Sequence, residues 1–450
     1  MTKYTPLTLL LALVLLSGCA KQPDHPVIIV LADTLRADHL GCYGYGRGTS
    51  PAIDRFSRQA VRYSRAMASA PWTVPSHASL FTGMEPHQHG ARTFKIAKPG
   101  NNVNPLPQAC YTLAEALRKI GPTAAFMANV VFLTPRWQFN QGFDTYVNKH
   151  LPATELNRDI FSWLDSHRDK PFFLFVNYMD CHRPYNTTPH KEFMDPPAPL
   201  DANQSLDLLR RQVMSDGVVP PDLVQTVRDQ YDTAVYNLDL AFSRLIDKLH
   251  KLGIYDRSLI IFTSDHGEYF GEHLLVEHSK DIYQPCLHIP LLVKKPGQRT
   301  PSVDDTPISL VDVPYLVVST FSGSWAKAHK QRFPRRPGSH PLIAENYYTR
   351  AHDLFHQSWG PRFNRVRRAI YQWPYKLILS SDQQHELYHL DHDPGETENL
   401  IHRDNQRVVA MAEILAAYLQ SNVPVWTDNA TDITFSQKEL QLMKTLGYLD

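Results

Sequence analysis

Three short apolar runs in this chain each end in residues able to bind a cation or move a proton. Residues 27–31 are followed by Asp33 and Thr34, and residues 172–176 lead to Asp180-Cys181-His182. Residues 259–262 lead to Ser264-Asp265-His266-Gly267-Glu268. Brought together, Asp33, Asp265 and His266 offer the oxygen and nitrogen donors that hold a divalent metal. A single aspartate after a strand more often ends a turn or caps a helix; the joint placement after separate runs is what points to a metal. A fourth segment, Trp72-Thr73-Val74-Pro75-Ser76-His77, carries a proline near the start of a helix-compatible stretch. Thr73 falls at or just before that start. It either caps the helix or acts as an oxygen nucleophile, with the helix end stabilising an anionic centre and a nearby cation lowering the hydroxyl's pKa.

Such residues need a scaffold, and the pattern around them supplies one. The three runs are continuous and rich in β-branched and aromatic side chains, as in strands buried on both faces of a parallel sheet. Helical patterns alternate with them. Residues 112–119 have apolar side chains at helical spacing and stop at Gly121. Residues 223–252 are long and amphipathic, with Val227, Tyr231, Val235, Leu238, Phe242, Leu245 and Leu249 along one face. The alternation predicts an α/β fold, a large, mostly parallel sheet sandwiched by helices. Ligands in such folds gather at the carboxyl ends of the strands, where the chemistry lies here. The Pro- and Asp-rich stretch 195–221 reads as a surface excursion. Residues 324–341, with Lys327, Lys330, Arg332, Arg335 and Arg336, read as a basic linker or insertion. That divides a catalytic domain over 27–323 from a smaller C-terminal α+β subdomain over 342–450, with strands near 369–371 and 376–379 and a helix near 407–419.

The chain has 450 residues, 46 Lys+Arg against 45 Asp+Glu and a formal net charge of +1. With 43% hydrophobic and 20% charged residues it is globular rather than disordered, and the balanced charge argues against a nucleic-acid partner. Lys3 is the only charge among the first twenty residues, ahead of the apolar run 7–16. That run falls short of the roughly 20 residues a membrane span needs and has the form of a signal-peptide core. Leu16-Ser17-Gly18-Cys19 resembles the lipobox of bacterial lipoproteins. The resemblance implies a signal peptide over 1–19, a lipid on Cys19, a tether over 20–26 and an extracytoplasmic location. In a Gram-negative cell, Ala20 after the cysteine favours the outer membrane, facing the periplasm. Cys42, Cys110, Cys181 and Cys286 lack zinc-ligand spacing, and their pairing stays open.

From about Val27 onward the chain resembles the sulfatase family of the alkaline phosphatase superfamily. The resemblance is carried by Leu31-Ala32-Asp33-Thr34-Leu35-Arg36-Ala37-Asp38-His39-Leu40-Gly41, by Pro75-Ser76 through Thr82-Gly83, and by Ser264-Asp265-His266-Gly267-Glu268. Leu387-Tyr388 and Asp393-Pro394-Gly395-Glu396-Thr397-Glu398-Asn399-Leu400 add a C-terminal signature. It implies an alkaline-phosphatase-like fold and hydrolysis of a sulfate or phosphate ester. The departures bear on the chemistry. Sulfatases carry Cys or Ser, oxidised to formylglycine, where this chain has Thr73, and Arg where it has His77. Thr34 replaces a second aspartate that they use around calcium.

The reduced set Asp33, Thr73, Asp265 and His266 is similar to the single-metal sites of phosphoethanolamine transferases and lipoteichoic acid synthases. That resemblance implies one divalent ion, manganese or zinc ahead of calcium, and a threonine nucleophile suited to phosphoryl transfer. By alignment with the sulfatase family, His182 and His278 are candidate catalytic residues that protonate the leaving group, while His77 and Asn129 are candidate substrate contacts. The expected partner is a sulfated or phosphorylated small molecule, glycan or lipid headgroup, reached from a membrane anchor. Two other readings follow from the same residues: an envelope phosphotransferase of the phosphoethanolamine-transferase type, or a non-catalytic, anchored glycan-binding protein.

Overall fold

The computed structural model describes residues 25–187, 193 and 198–425. Cys19, the expected signal peptide and most of the tether lie outside the described residues. The three apolar runs become neighbouring parallel strands. We number the strands of the two main sheets in chain order. The first sheet contains β1 (Val27–Ala32), β2 (Val61–Tyr63), β3 (Thr123–Met127), β4 (Thr145–Asn148), β5 (Phe173–Tyr178), β6 (Leu259–Thr263), β7 (Leu291–Lys294) and β8 (Ser302–Asp304). Their order is β8-β2-β7-β6-β1-β5-β3-β4. Only β7 runs against the others. β1 lies at the centre, with Val27 level with Phe173 on one side and Leu259 on the other. All six of its residues are buried, so the carboxyl ends of β5, β1 and β6 come out side by side. That register is what gathers the motif residues.

Helices cover the sheet. The major ones are α1 (Thr73–Thr82), α2 (Ala153–His167), α3 (Ala202–Arg210) and α4 (Pro221–Lys251). The apolar face read from the sequence of α4 is buried along its length, each large side chain contributing about 1.5–3 kcal/mol relative to exposure. From that face the Tyr231 hydroxyl donates to the carbonyl of Thr34 at 2.7 Å and accepts from the Arg36 amide at 2.9 Å. The long helix therefore fixes the turn that follows β1.

Three local expectations change. The helical pattern at 112–119 folds as a short helix, but it feeds β3, a strand of Thr, Ala, Phe and Met without the β-branched signature. The stretch read as a surface excursion contains α3, whose Leu206 and Leu209 pack inward. The basic stretch 324–341 is not a linker. Much of it is α5 (Gly323–Arg332), with Ala326 and His329 buried and Lys327 outward. Beyond it Arg335 is buried and donates to the Gly83 carbonyl and to Gln88.

The C-terminal part is an antiparallel sheet in sequential order, β9 (Leu342–Tyr347), β10 (Val366–Gln372), β11 (Tyr375–Ser380) and β12 (Glu386–His389). Against it packs α6 (Asn405–Ser421), whose Met411, Leu415 and Tyr418 meet Ile343, Ile370, Leu377 and Leu387. Glu396 of the C-terminal signature ties this sheet to the first domain. Its carboxylate accepts from the buried Lys376 ammonium of β11 and from the Gln284 amide. Among the described residues all four cysteines are free thiols, and no helix is long and apolar enough to cross a membrane.

Candidate active site

The ends of β1 and β6 place Asp33, Asp265 and His266 together, each fully buried, with one ligand atom apiece within 4.8 Å of the others. His266 Nε2 is 3.3 Å from Asp265 Oδ2 and 3.7 Å from Asp33 Oδ1. These three atoms have no hydrogen-bond partner, while the rest of each side chain is held from behind. Asp33 Oδ2 accepts from Asn129 and Asn177, both at 3.4 Å. Asp265 Oδ1 accepts from the amides of Thr34 and His266. The His266 Nδ1–H donates to the Gly267 carbonyl at 2.9 Å, which leaves the Nε2 lone pair inward. Gly267 is obligatory at this close approach, since a Cβ would sit 2.1 Å from the Pro285 carbonyl oxygen.

Without a cation this arrangement is costly. Burial pushes the Asp33 carboxyl up to about 7. Burial, with Asp33 beside it, carries Asp265 well above the usual carboxylate range. Burial holds His266 well below the usual histidine range, so it is neutral. A buried like-charge pair facing an imidazole lone pair is relieved when a divalent cation sits among them. The donor set fits one such ion. Thr34 adopts a left-handed φ of 62°, and its hydroxyl lies 2.7 Å from the Asp33 carbonyl and 2.6 Å from the Cys181 carbonyl.

Thr73 is the first residue of α1 and is 1% exposed. The residue before it, Trp72, makes no side-chain cap, so the first-turn amides keep donors for an anionic group. His77, one turn on, spans the two halves of the site. Its Nδ1 is 2.9 Å from the Thr73 carbonyl and 3.4 Å from Asp265 Oδ2. The ring is fully buried beside Phe81, Phe139 and Phe175, and that burial lowers it to about 3. His77 is therefore neutral and holds the Thr73 carbonyl while lying close to a metal ligand. Asn129, expected to touch substrate, directs its amide NH₂ to Asp33 and accepts from the Val131 and Phe132 amides. It stands behind the ligand it supports.

His266, His278 and His182 form a row, with ring centroids 4.6 Å and then 5.0 Å apart. His278 Nδ1 is 3.0 Å from Glu268 Oε1, and His182 Nδ1 is 2.7 Å from the Arg183 carbonyl. The structure thus brings both expected proton donors to the metal-ligand cluster. Burial lowers His182 to about 3 and holds His278 well down, with His266 adding to the effect. Sequence reading named Glu268 only within its motif and passed over Asn177, Glu277 and Lys280. Asn177, next to last in β5, lies beside Asp33, a position the strand-end argument could have flagged. Glu277 is ringed by Arg183 at 2.6 Å, Lys280 at 3.5 Å and Arg210 at 3.6 Å. Arg183 and Arg210 come from distant parts of the chain, so only Lys280 is a local partner.

The Sulfatase family model matches residues 25–324. The chain belongs to the sulfatase family. It is a sulfatase-type hydrolase with a mixed α/β fold of the alkaline-phosphatase-like kind. Among sulfatase relatives, an endo-4-O-sulfatase of Bacteroides thetaiotaomicron is 25% identical, with 65% of this chain and 69% of that protein covered. An uncharacterised sulfatase of Escherichia coli is 24% identical, covering 85% and 83%. The phosphonate monoester hydrolase of Agrobacterium radiobacter shares the fold at a TM-score of 0.68 and 17% identity, over 89% of this chain and 96% of that one.

Proposed function

We propose that this chain is a metal-dependent ester hydrolase in which Thr73 is the nucleophile and phosphoryl chemistry is favoured over sulfuryl chemistry. One observation carries the reading. Three buried ligand atoms without partners converge beside a helix start, and the His77 ring that holds the Thr73 carbonyl lies 3.4 Å from one of them. A divalent cation held by Asp33, Asp265 and His266 supplies charge neutralisation at a non-bridging oxygen and lowers the pKa of a neighbouring hydroxyl; manganese or zinc suits the imidazole donor better than calcium. The α1 amides orient the equatorial oxygens.

The Thr73 hydroxyl passes its proton to a neutral imidazole, that of His278 or His182, as its oxygen bonds to phosphorus, and the bond from phosphorus to the ester oxygen breaks. His278, steadied by Glu268, or His182 gives a proton to the departing alkoxide. A water molecule then attacks phosphorus, returning a proton to that imidazole. The bond to Thr73 breaks as that imidazole passes the proton to the threonine oxygen, and inorganic phosphate is released. Threonine has no second hydroxyl with which to expel the group as an aldehyde forms, so the covalent stage must be opened by water or by an acceptor alcohol. We favour a saccharide ester as substrate, in keeping with the endo-4-O-sulfatase among the relatives.

The test compares an aryl sulfate, a phosphate monoester and a phosphodiester across Mn²⁺, Zn²⁺ and Ca²⁺, with mass spectrometry of the Thr73 peptide after rapid quenching. Phosphate-ester turnover and a phosphorylated Thr73 are expected. Activity on sulfate alone, or full turnover by Thr73→Ala, refutes the reading. We also propose, from Leu16-Ser17-Gly18-Cys19, that Cys19 carries a lipid holding the enzyme on an extracytoplasmic membrane face. Radiolabelled palmitate should enter the wild-type chain and not Cys19→Ser.

A further inference from the structure

A cavity of about 300 Å³ opens where α3 ends, lined by Asp207, Arg210, Arg211, Ser215, His356 and Trp359. Small-molecule sites begin at about this size. The wall is shaped rather than incidental. Instead of stopping at a cap, α3 runs into a π-helical turn over Arg211–Ser215, a distortion found frequently at functional sites. That turn presents Arg211 and Ser215 to the cavity. The opposite wall is rigid, with Trp359 4% exposed and the His356 ring lying parallel to its indole. The Arg210 guanidinium lies 5.9 Å from the indole centroid.

Two separate chains of contacts join this cavity to His278. Arg210 reaches Glu277 Oε2 at 3.6 Å, and Glu277 immediately precedes His278. On the other wall the Trp359 indole N–H donates to Asp353 Oδ1 at 3.3 Å. Asp353 Oδ2 is 3.4 Å from the Lys280 ammonium, which donates to the His278 carbonyl at 3.2 Å. The cavity therefore abuts the loop that carries a candidate proton donor.

Its chemistry is specific. Trp359 is covered, so little apolar surface is offered. Donors and acceptors are mixed, with Arg210, Arg211 and His356 against Asp207 and the Ser215 hydroxyl. Arg210 is already shared with Asp207 and Glu277, whereas Arg211 is exposed and, among the described residues, makes no ion pair. A polyhydroxylated ring bearing one negative group matches such a lining. Its hydroxyls use both donors and acceptors, and its anion meets the unshared guanidinium.

We infer that this cavity is a subsite for an acidic sugar, holding the ring next to the ester whose cleavage was proposed above. The inference rests on that ester-hydrolase reading for its role, and its test does not require turnover. Calorimetric titration of the intact protein would compare a uronic-acid disaccharide with its neutral, carboxyl-reduced counterpart. Wild type should bind the acidic disaccharide more tightly by roughly tenfold or more, the worth of one charge-assisted hydrogen bond. Arg211→Ala should abolish that preference and Arg211→Lys should keep part of it, with unchanged circular dichroism in both. Equal affinity of wild type for the two sugars, or a preference untouched by Arg211→Ala, overturns the subsite. Failure to cleave any ester would instead remove the earlier reading and leave the titration intact.

Discussion

Asp33 and Asp265 are each held by donors on one oxygen and left bare on the other, and that asymmetry governs what substitution does. Asp265→Asn removes a carboxyl whose ionisation burial opposes in the metal-free protein. The metal-free variant should melt higher than metal-free wild type by scanning calorimetry, while metal bound per chain, read by plasma mass spectrometry, falls from about one towards zero. Asn177→Ala removes a support rather than a ligand, so metal affinity should drop by about 10–100-fold with the fold retained. Glu268→Gln should lower kcat by a similar factor with little change in KM, because it acts through His278. The ligands themselves were legible because each follows an apolar strand in a short contiguous motif. Asn177, Glu277 and Lys280 were not. Their roles depend on partners such as Asp33 and Arg183, far off in sequence, and only the strand register brings them together.

Between elements, two buried ion pairs anchor the C-terminal sheet, one within the C-terminal part and one to the catalytic part. Lys376 and Glu396 are both fully enclosed, so Glu396→Gln leaves an unpaired ammonium. It should destabilise the protein by about 3–5 kcal/mol in urea melts, and pairing it with Lys376→Met should recover part of the loss. His87, just beyond α1, pairs with Glu345 of β9 at 2.9 Å. Despite the opposing effect of burial, that carboxylate raises the histidine above its ordinary value. A raised histidine contributes stability in full below its unfolded pKa of about 6.5 and loses it as pH rises through the folded value. Melting temperature should therefore fall across that window in wild type and fall less in His87→Gln. Elements with continuous apolar runs or a long periodic face, β1, β5, β6 and α4, could be read directly. Strand β3 has only Thr123 as a β-branched residue, and α5 buries little besides Ala326 and His329, so neither carried a periodic signal.

Across the whole molecule, Leu342, Ala344, Ala369, Tyr371 and Ile378 of the C-terminal sheet belong to the same apolar cluster as β1. The boundary expected near 324–341 marks a change of sheet rather than a break in the core. A single calorimetric transition is expected, moving up intact when metal is added. Saturation at a hundred times Kd corresponds to about 2.7 kcal/mol. Two transitions, with only the first shifted by metal, would contradict a shared core.

All ten residues of α1 are buried, a helix with no solvent-facing side. Its amides should exchange with deuterium only when the whole protein opens, hours after those of α5 have been replaced. Thr73 thus rides on the slowest-moving part of the chain. Adjustment to substrates of different shape falls to the surrounding segments, and the attacking oxygen keeps its place while they move.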